Sequence, residues 1–241
     1  MSDGRMKIIT VAGTPSSGKT SVIVHLARLL SKEGVRSAAA KFDALATKDD
    51  AHFREKAGIP SIQGLGDYVC PDHFYASNLE EVAEWGTRQG ADILFVETAG
   101  LCLRCAPHVE TIPAITVMDH LGGMDAPEKT GPLLYLADAV VVTKGDMVSQ
   151  AEKEVFLHRI RRINPEAFLF QMNGLTGSGG IPLKRLVDRW RPVSSVSGLG
   201  LRYSMPASVC SYCTGERRIG VQFQSGNVKK IDCSGQKEGG C

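Results

Sequence analysis

Residues 13–20 read Gly-Thr-Pro-Ser-Ser-Gly-Lys-Thr, and few folds can carry that octapeptide. It fits the pattern G-x-x-x-x-G-K-[ST], in which two glycines allow the backbone to close around an anion. The apolar run before it, 7–12, is predicted to be a buried strand. Residues 20–31 after it are predicted to be a helix with Val22, Leu26, Leu29 and Leu30 on one face. A strand, a glycine loop and a helix in that order present backbone N–H groups and a helix N-terminus to phosphate. The predicted contact set is Gly13, Ser16, Ser17, Gly18, Lys19, Thr20 and Ser21. Lys19 is placed to reach β- and γ-phosphates and the Thr20 hydroxyl to bind Mg²⁺.

The rest of the chain bounds what surrounds this loop. Its 241 residues suffice for one α/β domain and a small appendage. A net charge of +2 gives no electrostatic case for nucleic acid. No apolar run approaches the roughly 20 residues of a membrane helix, and residues 1–6 are too polar for a signal peptide. A cytoplasmic location is therefore expected. The seven cysteines are Cys70, Cys102, Cys105, Cys210, Cys213, Cys233 and Cys241. An odd number at short spacings argues for metal or redox chemistry rather than a disulfide framework.

Strands are predicted to alternate with helices, which implies a mostly parallel sheet with sites at the strands' C-terminal ends. The strand 35–42 delivers Asp43, with Asp49 and Asp50 close behind, as a carboxylate for Mg²⁺ or the attacking water. Cys70 and His73 flank Pro71 and Asp72 at a spacing that suits metal ligands, with the proline expected to fix a turn. A helix is predicted over 78–89. The strand 92–97 ends in Glu97, and Gly100 follows at a distance that lets its N–H approach a γ-phosphate. Cys102, Cys105 and His108 come directly behind this segment as candidate soft-metal or cluster ligands. Strands 114–118 and 137–142 end at Asp119 and at Thr143-Lys144-Gly145-Asp146. The last four fit [NT]-K-x-D, in which Lys144 stacks on a base and Asp146 accepts two hydrogen bonds from guanine. Helices over 148–163 and 181–190, a strand over 167–171 and a loop over 173–179 that closes on the base complete a domain spanning 1–192. The remaining histidines, 25, 52, 120 and 158, are expected to be ordinary surface or core residues.

Residues 193–241 form a second unit in this reading, a Ser/Gly-rich linker over 193–200 and a cysteine-rich module with little apolar mass. A hairpin is expected between 218–224 and 228–231. So small a unit needs a metal to hold it. Cys210, Cys213, Cys233 and Cys241 suit either a structural zinc or an iron–sulfur cluster, within the chain or bridging a dimer.

In their order these motifs resemble the nickel-insertion GTPases of urease and hydrogenase maturation, within the signal-recognition/MinD-type class of P-loop NTPases. The resemblance covers about residues 6–190. It rests on the phosphate loop, Lys41-Phe42-Asp43, Asp49-Asp50-Ala51, Val69-Cys70-Pro71, Val96-Glu97-Thr98-Ala99-Gly100, Met118-Asp119-His120-Leu121-Gly122-Gly123, Thr143-Lys144-Gly145-Asp146 and Thr176-Gly177-Ser178-Gly179. It implies a P-loop NTPase fold and a Mg²⁺-dependent NTPase, with GTP favoured over ATP. Lys19, Asp43 and Glu97 would be catalytic. It also implies a homodimer that passes a metal such as nickel to a client metalloenzyme or its maturation factor. Cys70 and His73 resemble the family's Cys-Pro-His metal motif with Asp72 inserted, and Cys105 with Pro107 resembles its Cys-Pro with Ala106 inserted. The tail lies outside the resemblance. Two other readings stay open: a nucleotide-driven iron–sulfur reductase, and a nucleotide-binding scaffold without turnover.

Overall fold

The computed structural model describes residues 6–44, 49–66, 70–100, 106–204, 211, 215–226 and 229–233. Seven strands form one sheet: β1 (Lys7–Gly13), β2 (Ser37–Asp43), β3 (Ser61–Leu65), β4 (Ile93–Thr98), β5 (Ala114–Asp119), β6 (Ala139–Thr143) and β7 (Phe168–Gln171). Their order is β3-β2-β4-β1-β5-β6-β7, and every pairing is parallel. Parallel strands need crossovers, which the helices supply on both faces. The central strands are therefore apolar on both sides, and β4, β5 and β6 are buried throughout.

Alternate strand residues feed two opposite cores. Ile9, Val11, Phe95, Ile115 and Val141 meet α1 (Lys19–Ser31) and α7 (Gly180–Arg189). On the other face Ala40, Phe42, Leu94 and Val96 meet α3 (Pro71–Arg88), after the one-turn α2 (Asp49–His52). Further along that face, Met118, Val140 and Val142 meet α6 (Gln150–Ile163), which follows the short α4 (Ala126–Thr130) and α5 (Pro132–Tyr135). The α6 start is fixed by a reciprocal cap between Ser149 and Glu152.

The structure differs from the sequence expectation in several elements. The helix expected from 78 begins at Pro71, because proline is suited to the first helical position, where no N–H is needed. Cys70 is thus a helix N-cap, and Asp72 and His73 lie in the first turn rather than in a loop. Strand β3 was not expected at all. Finally, among the described residues no pairing joins 218–224 to 229–231: residues 217–219 pair back onto 198–201, and Val221–Phe223 is a 3₁₀ turn.

The stretch expected to be a linker is packed on the domain. Val193 N–H donates to Met6 O, and Val196, Leu201 and Ile219 are buried in the α3-side core. Arg202 fastens it, donating to the carbonyls of Val109, Ile112 and Leu136 and to both oxygens of Asp138. Further on, the Asn78 amide donates to Lys229 O at 2.8 Å and accepts from Ile231 N–H at 2.7 Å, so residues 229–231 lie along α3.

Candidate nucleotide site at the strand ends

The phosphate loop joins β1 to α1 as its sequence requires. Gly18 caps α1 in a left-handed conformation, with no side-chain cap and no acidic residue in the first turn. The positive helix end is therefore left for an anion. Two close backbone approaches fix the loop. A Cβ on Gly13 would lie 2.0 Å from Val117 O, and one on Gly100 would lie 1.6 Å from Gly13 O. Gly100 is thus pressed against the start of the phosphate loop. Thr143 Oγ1 donates to Ser17 O at 2.6 Å and ties the end of β6 to the same loop.

Lys19 is buried with its ammonium folded among three carbonyls, those of Gly13 (3.1 Å), Thr14 (2.9 Å) and Ala99 (3.3 Å). Burial pulls its pKa down, and Glu97 opposes that. The Thr20 hydroxyl reaches both oxygens of Glu97, at 3.0 and 2.9 Å. Burial pushes the Glu97 carboxyl up, opposed first by Lys41 and then by Lys19. The Lys41 ammonium lies 3.3 Å from Glu97 Oε1 and 3.8 Å from Asp43 Oδ2. A cleft of about 430 Å³ opens among the loop, Lys41, Asp43, His52 and Glu97. Thr20 and Glu97 present adjacent hard oxygens, the donor type that Mg²⁺ takes.

A second depression of about 250 Å³ lies at the ends of β6 and β7, bounded by Asp146, Lys153, Asn173 and Ser178. Asp146 is exposed there in the turn Gly145–Met147. Lys144 is left-handed, with its ammonium 3.6 Å from Asp119 Oδ1. The 173–179 loop is held in part by Asn173, which accepts from Leu175 N–H and Thr176 N–H. His25 Nε2 meets Gly174 O at 3.0 Å and anchors the loop to α1. Ser16 is exposed on the loop, Ser17 is buried, and Ser21 faces Gly174.

Only part of the candidate metal-ligand set falls among the described residues. Cys102, Cys105, Cys210, Cys213 and Cys241 lie outside the described residues. Cys70 stands at the start of α3, and Cys233 lies beside Glu81 of the same helix. No group of three or more His, Cys, Asp or Glu side chains among the described residues is arranged to hold a metal. His108 is fully buried, away from the phosphate cleft. Its Nε2 donates to Leu133 O (3.0 Å) and lies 3.2 Å from Thr116 Oγ1. Burial brings its pKa down to about 4, so it is a neutral core histidine. His73 is buried in the first turn of α3, and burial lowers its pKa. Burial, then Cys70, raises the Asp72 carboxyl to about 7, with Lys19 opposing.

Lys41 is the site residue to which sequence reasoning gave no role. Its signal was a single cation in the strand Ser-Ala-Ala-Ala-Lys-Phe-Asp. No described helix is long and apolar enough to cross a membrane.

Comparison with known proteins agrees with this geometry. The model of the CobW/HypB/UreG nucleotide-binding domain matches residues 7–171. An uncharacterised protein of Methanocaldococcus jannaschii is 42% identical over 97% of this chain and 100% of its own length, so that likeness runs into the tail. The urease accessory protein UreG of Aliarcobacter butzleri is 30% identical over 60% of this chain and 77% of its own. Among solved structures, HypB from Helicobacter pylori in complex with nickel superposes with a TM-score of 0.62 at 19% identity, covering 80% of this chain and 92% of that one. The hydrogenase maturation factor HypB of Archaeoglobus fulgidus gives 0.61 at 20% identity, over 77% and 90%. Residues 7–171 make up most of the chain, and the loop, the Thr20–Glu97 pair and the Gly100 contact all fall within them, so the protein belongs to the CobW/HypB/UreG family.

Proposed function

We propose that this protein is a Mg²⁺-dependent GTPase whose nucleotide cycle serves metal insertion into a client enzyme. The observation that carries the reading is the Thr20 hydroxyl seated on the buried Glu97 carboxylate behind an uncapped, glycine-bounded helix N-terminus. The loop N–H groups and Lys19 would hold the phosphates. Thr20 and Glu97 would hold Mg²⁺, which when bound neutralises phosphate charge. Asp43, partly exposed at the cleft wall, would orient the attacking water. Catalysis of this kind is positioning and charge stabilisation, with little covalent work for the protein.

The choice of GTP rests on Asp146 and Lys144 at the end of β6, beside the 173–179 loop. The Asp146 carboxylate accepts two hydrogen bonds from guanine that adenine does not offer. The metal cargo is assigned to the α3 N-terminus, where the Cys70 thiol and the His73 imidazole lie one helical turn apart. We take the acting form to be a homodimer, and the names of two relatives, a urease accessory protein and a hydrogenase maturation factor, support a client metalloenzyme or its maturation factor as the partner.

The test is hydrolysis by the purified protein with GTP and ATP in turn, with and without Mg²⁺. GTP turnover that needs Mg²⁺ and disappears in Lys19→Ala is expected. Asp146→Asn should transfer the preference from guanine to xanthine nucleotide, since the amide donates where the carboxylate accepted. Turnover in Lys19→Ala equal to wild type would overturn the reading. Nickel titration of wild type and Cys70→Ser, each with GTP or GDP, tests the cargo site. Equal affinity in all four would remove it.

A further inference from the structure

We propose that Lys41 is a second cationic contact for the terminal phosphate, so that the cleft tells a nucleoside triphosphate from a diphosphate. The inference deepens the nucleotide-binding reading above and rests on it.

Lys41 lies on β2 directly opposite Glu97 of β4 in the parallel register, and opposite Gln63 of β3 on its other side. Its side chain is only 7% exposed. Burying an ammonium in a sheet costs several kcal/mol unless it is paired, and an apolar pair in its place commonly serves the fold as well or better. The other β2 residues are small or apolar until Asp43. The fold therefore has no need of a cation at this register. Its position does have a chemical consequence, because Lys41 lines the same cleft as the phosphate loop.

The charges facing that cleft suit an incoming anion. Lys19 and Lys41 stand against Asp43 and Glu97, so the set is balanced before any ligand arrives. Lys19 belongs to the loop itself, its ammonium bonded to Gly13, Thr14 and Ala99 carbonyls. Lys41 stands on the opposite wall, held by Glu97 at 3.3 Å and Asp43 at 3.8 Å. Glu97 is also the carboxylate that Thr20 touches. Were Thr20 and Glu97 to hold a divalent cation, Lys41 would lose part of its hold on that carboxylate, and its ammonium would be free to turn toward the phosphate. Lys41 exchanges one anion for another and never stands unpaired, which is what makes a buried lysine tolerable here. A diphosphate is served by the loop and Lys19, whereas the further phosphoryl group of a triphosphate meets Lys41.

The experiment is calorimetric binding of Mg²⁺–GDP and of a Mg²⁺-bound non-hydrolysable GTP analogue to wild type, Lys41→Met and Lys41→Arg. A hydrogen bond to a charged group sets the scale, so Lys41→Met should weaken the triphosphate analogue roughly 10- to 100-fold. GDP affinity should stay within about threefold, since GDP lacks the group that Lys41 contacts. Lys41→Arg, which keeps the charge, should recover most of the loss. Lys41→Gln keeps a donor on Glu97 and is read by the same ratio if the methionine variant does not fold. Equal weakening of both ligands would make Lys41 a prop for Glu97 and overturn the proposal, as would unchanged affinity for both. Wild-type protein that binds neither ligand would overturn the nucleotide reading, and this inference with it.

Discussion

Gly100→Ala is the sharpest probe of how the site is assembled. Gly100 has φ +71°, and its added Cβ would lie 1.6 Å from Gly13 O. Real Cβ atoms keep at least 3.0 Å, so the end of β4 or the start of the phosphate loop must move by about 1.4 Å. The left-handed conformation alone costs alanine about 1–2 kcal/mol. Forcing the backbone apart adds about 1–3 kcal/mol. The displaced atoms belong to the carbonyl that holds Lys19 and to the segment that follows Glu97. Misplacement on this scale costs a positioned reaction roughly 100-fold. Gly34→Ala provides the control: φ is +79°, but no atom lies within 4 Å of its Cβ, so strain acts there without collision. The assay is urea unfolding together with Mg²⁺–GTP turnover for both variants. Gly100→Ala should lose about 2–5 kcal/mol and at least roughly 100-fold in turnover, while Gly34→Ala should lose only the strain and keep its turnover. Two variants that behave alike would refute the argument that the β4 end and the phosphate loop are locked by backbone contact.

Three further outcomes are expected. Thr143→Val removes the 2.6 Å bond to Ser17 O, leaving that carbonyl unpaired. It should cost about 1–3 kcal/mol in urea unfolding and weaken nucleotide binding in calorimetry. His108, buried beside Arg202 and Asp138, has its pKa lowered from 6.5 to about 4. Only the unfolded chain binds its proton in that interval, so the contribution is fully present above about pH 6.5 and is lost as pH falls toward 4. The loss reaches about 3 kcal/mol at the lower end. His108→Gln should flatten that part of the pH–stability profile, and an unchanged slope would count against the buried neutral imidazole. Asn78→Ala removes the amide that grips Lys229 O and Ile231 N–H. It should expose the segment after residue 226 to limited proteolysis while leaving the 7–171 domain intact by circular dichroism.

What the sequence made legible was whatever is written locally. The phosphate loop, Glu97 with Gly100, and Thr143 to Asp146 are short runs whose geometry follows from their own residue types and from the strands before them. The parallel sheet followed from the alternation of apolar runs with helical ones. What escaped depends on distant partners. Lys41 has meaning only because β2 and β4 pair in one register, and no local pattern records which residue stands opposite Glu97. His108 stood beside two cysteines in sequence, but its ring is claimed by Leu133, twenty-five residues on. The hairpin between 218–224 and 228–231 was inferred from two short runs on either side of Ser225-Gly226-Asn227. The amide of Asn78 and the backbone of 198–201 offered those residues better-placed hydrogen bonds. Strand β3 is a short edge strand containing Gly64, too brief to stand out.

The same register suggests how the phosphate end of the site can act on the proposed cargo end. Phe42 follows Lys41 on β2 and points to the opposite face, where it meets Phe74 and Tyr75 of α3 edge-on, with ring centroids 5.6 and 5.5 Å away. Those rings directly follow His73 and lie about one turn from Cys70 at the start of the same helix. Any shift of β2 that followed a change of anion at Lys41 would fall on α3 through these packed aromatic contacts, because close-packed interiors transmit displacement rather than absorb it. On the proposed reading, the coupling between terminal phosphate and metal affinity needs only the 1–3 kcal/mol typical of linked sites. Lys229 and Lys230 lie along this helix as well, bonded to Asn78, Ser77 and Glu81, so a ligand that engaged them would bear on the helix that carries Cys70.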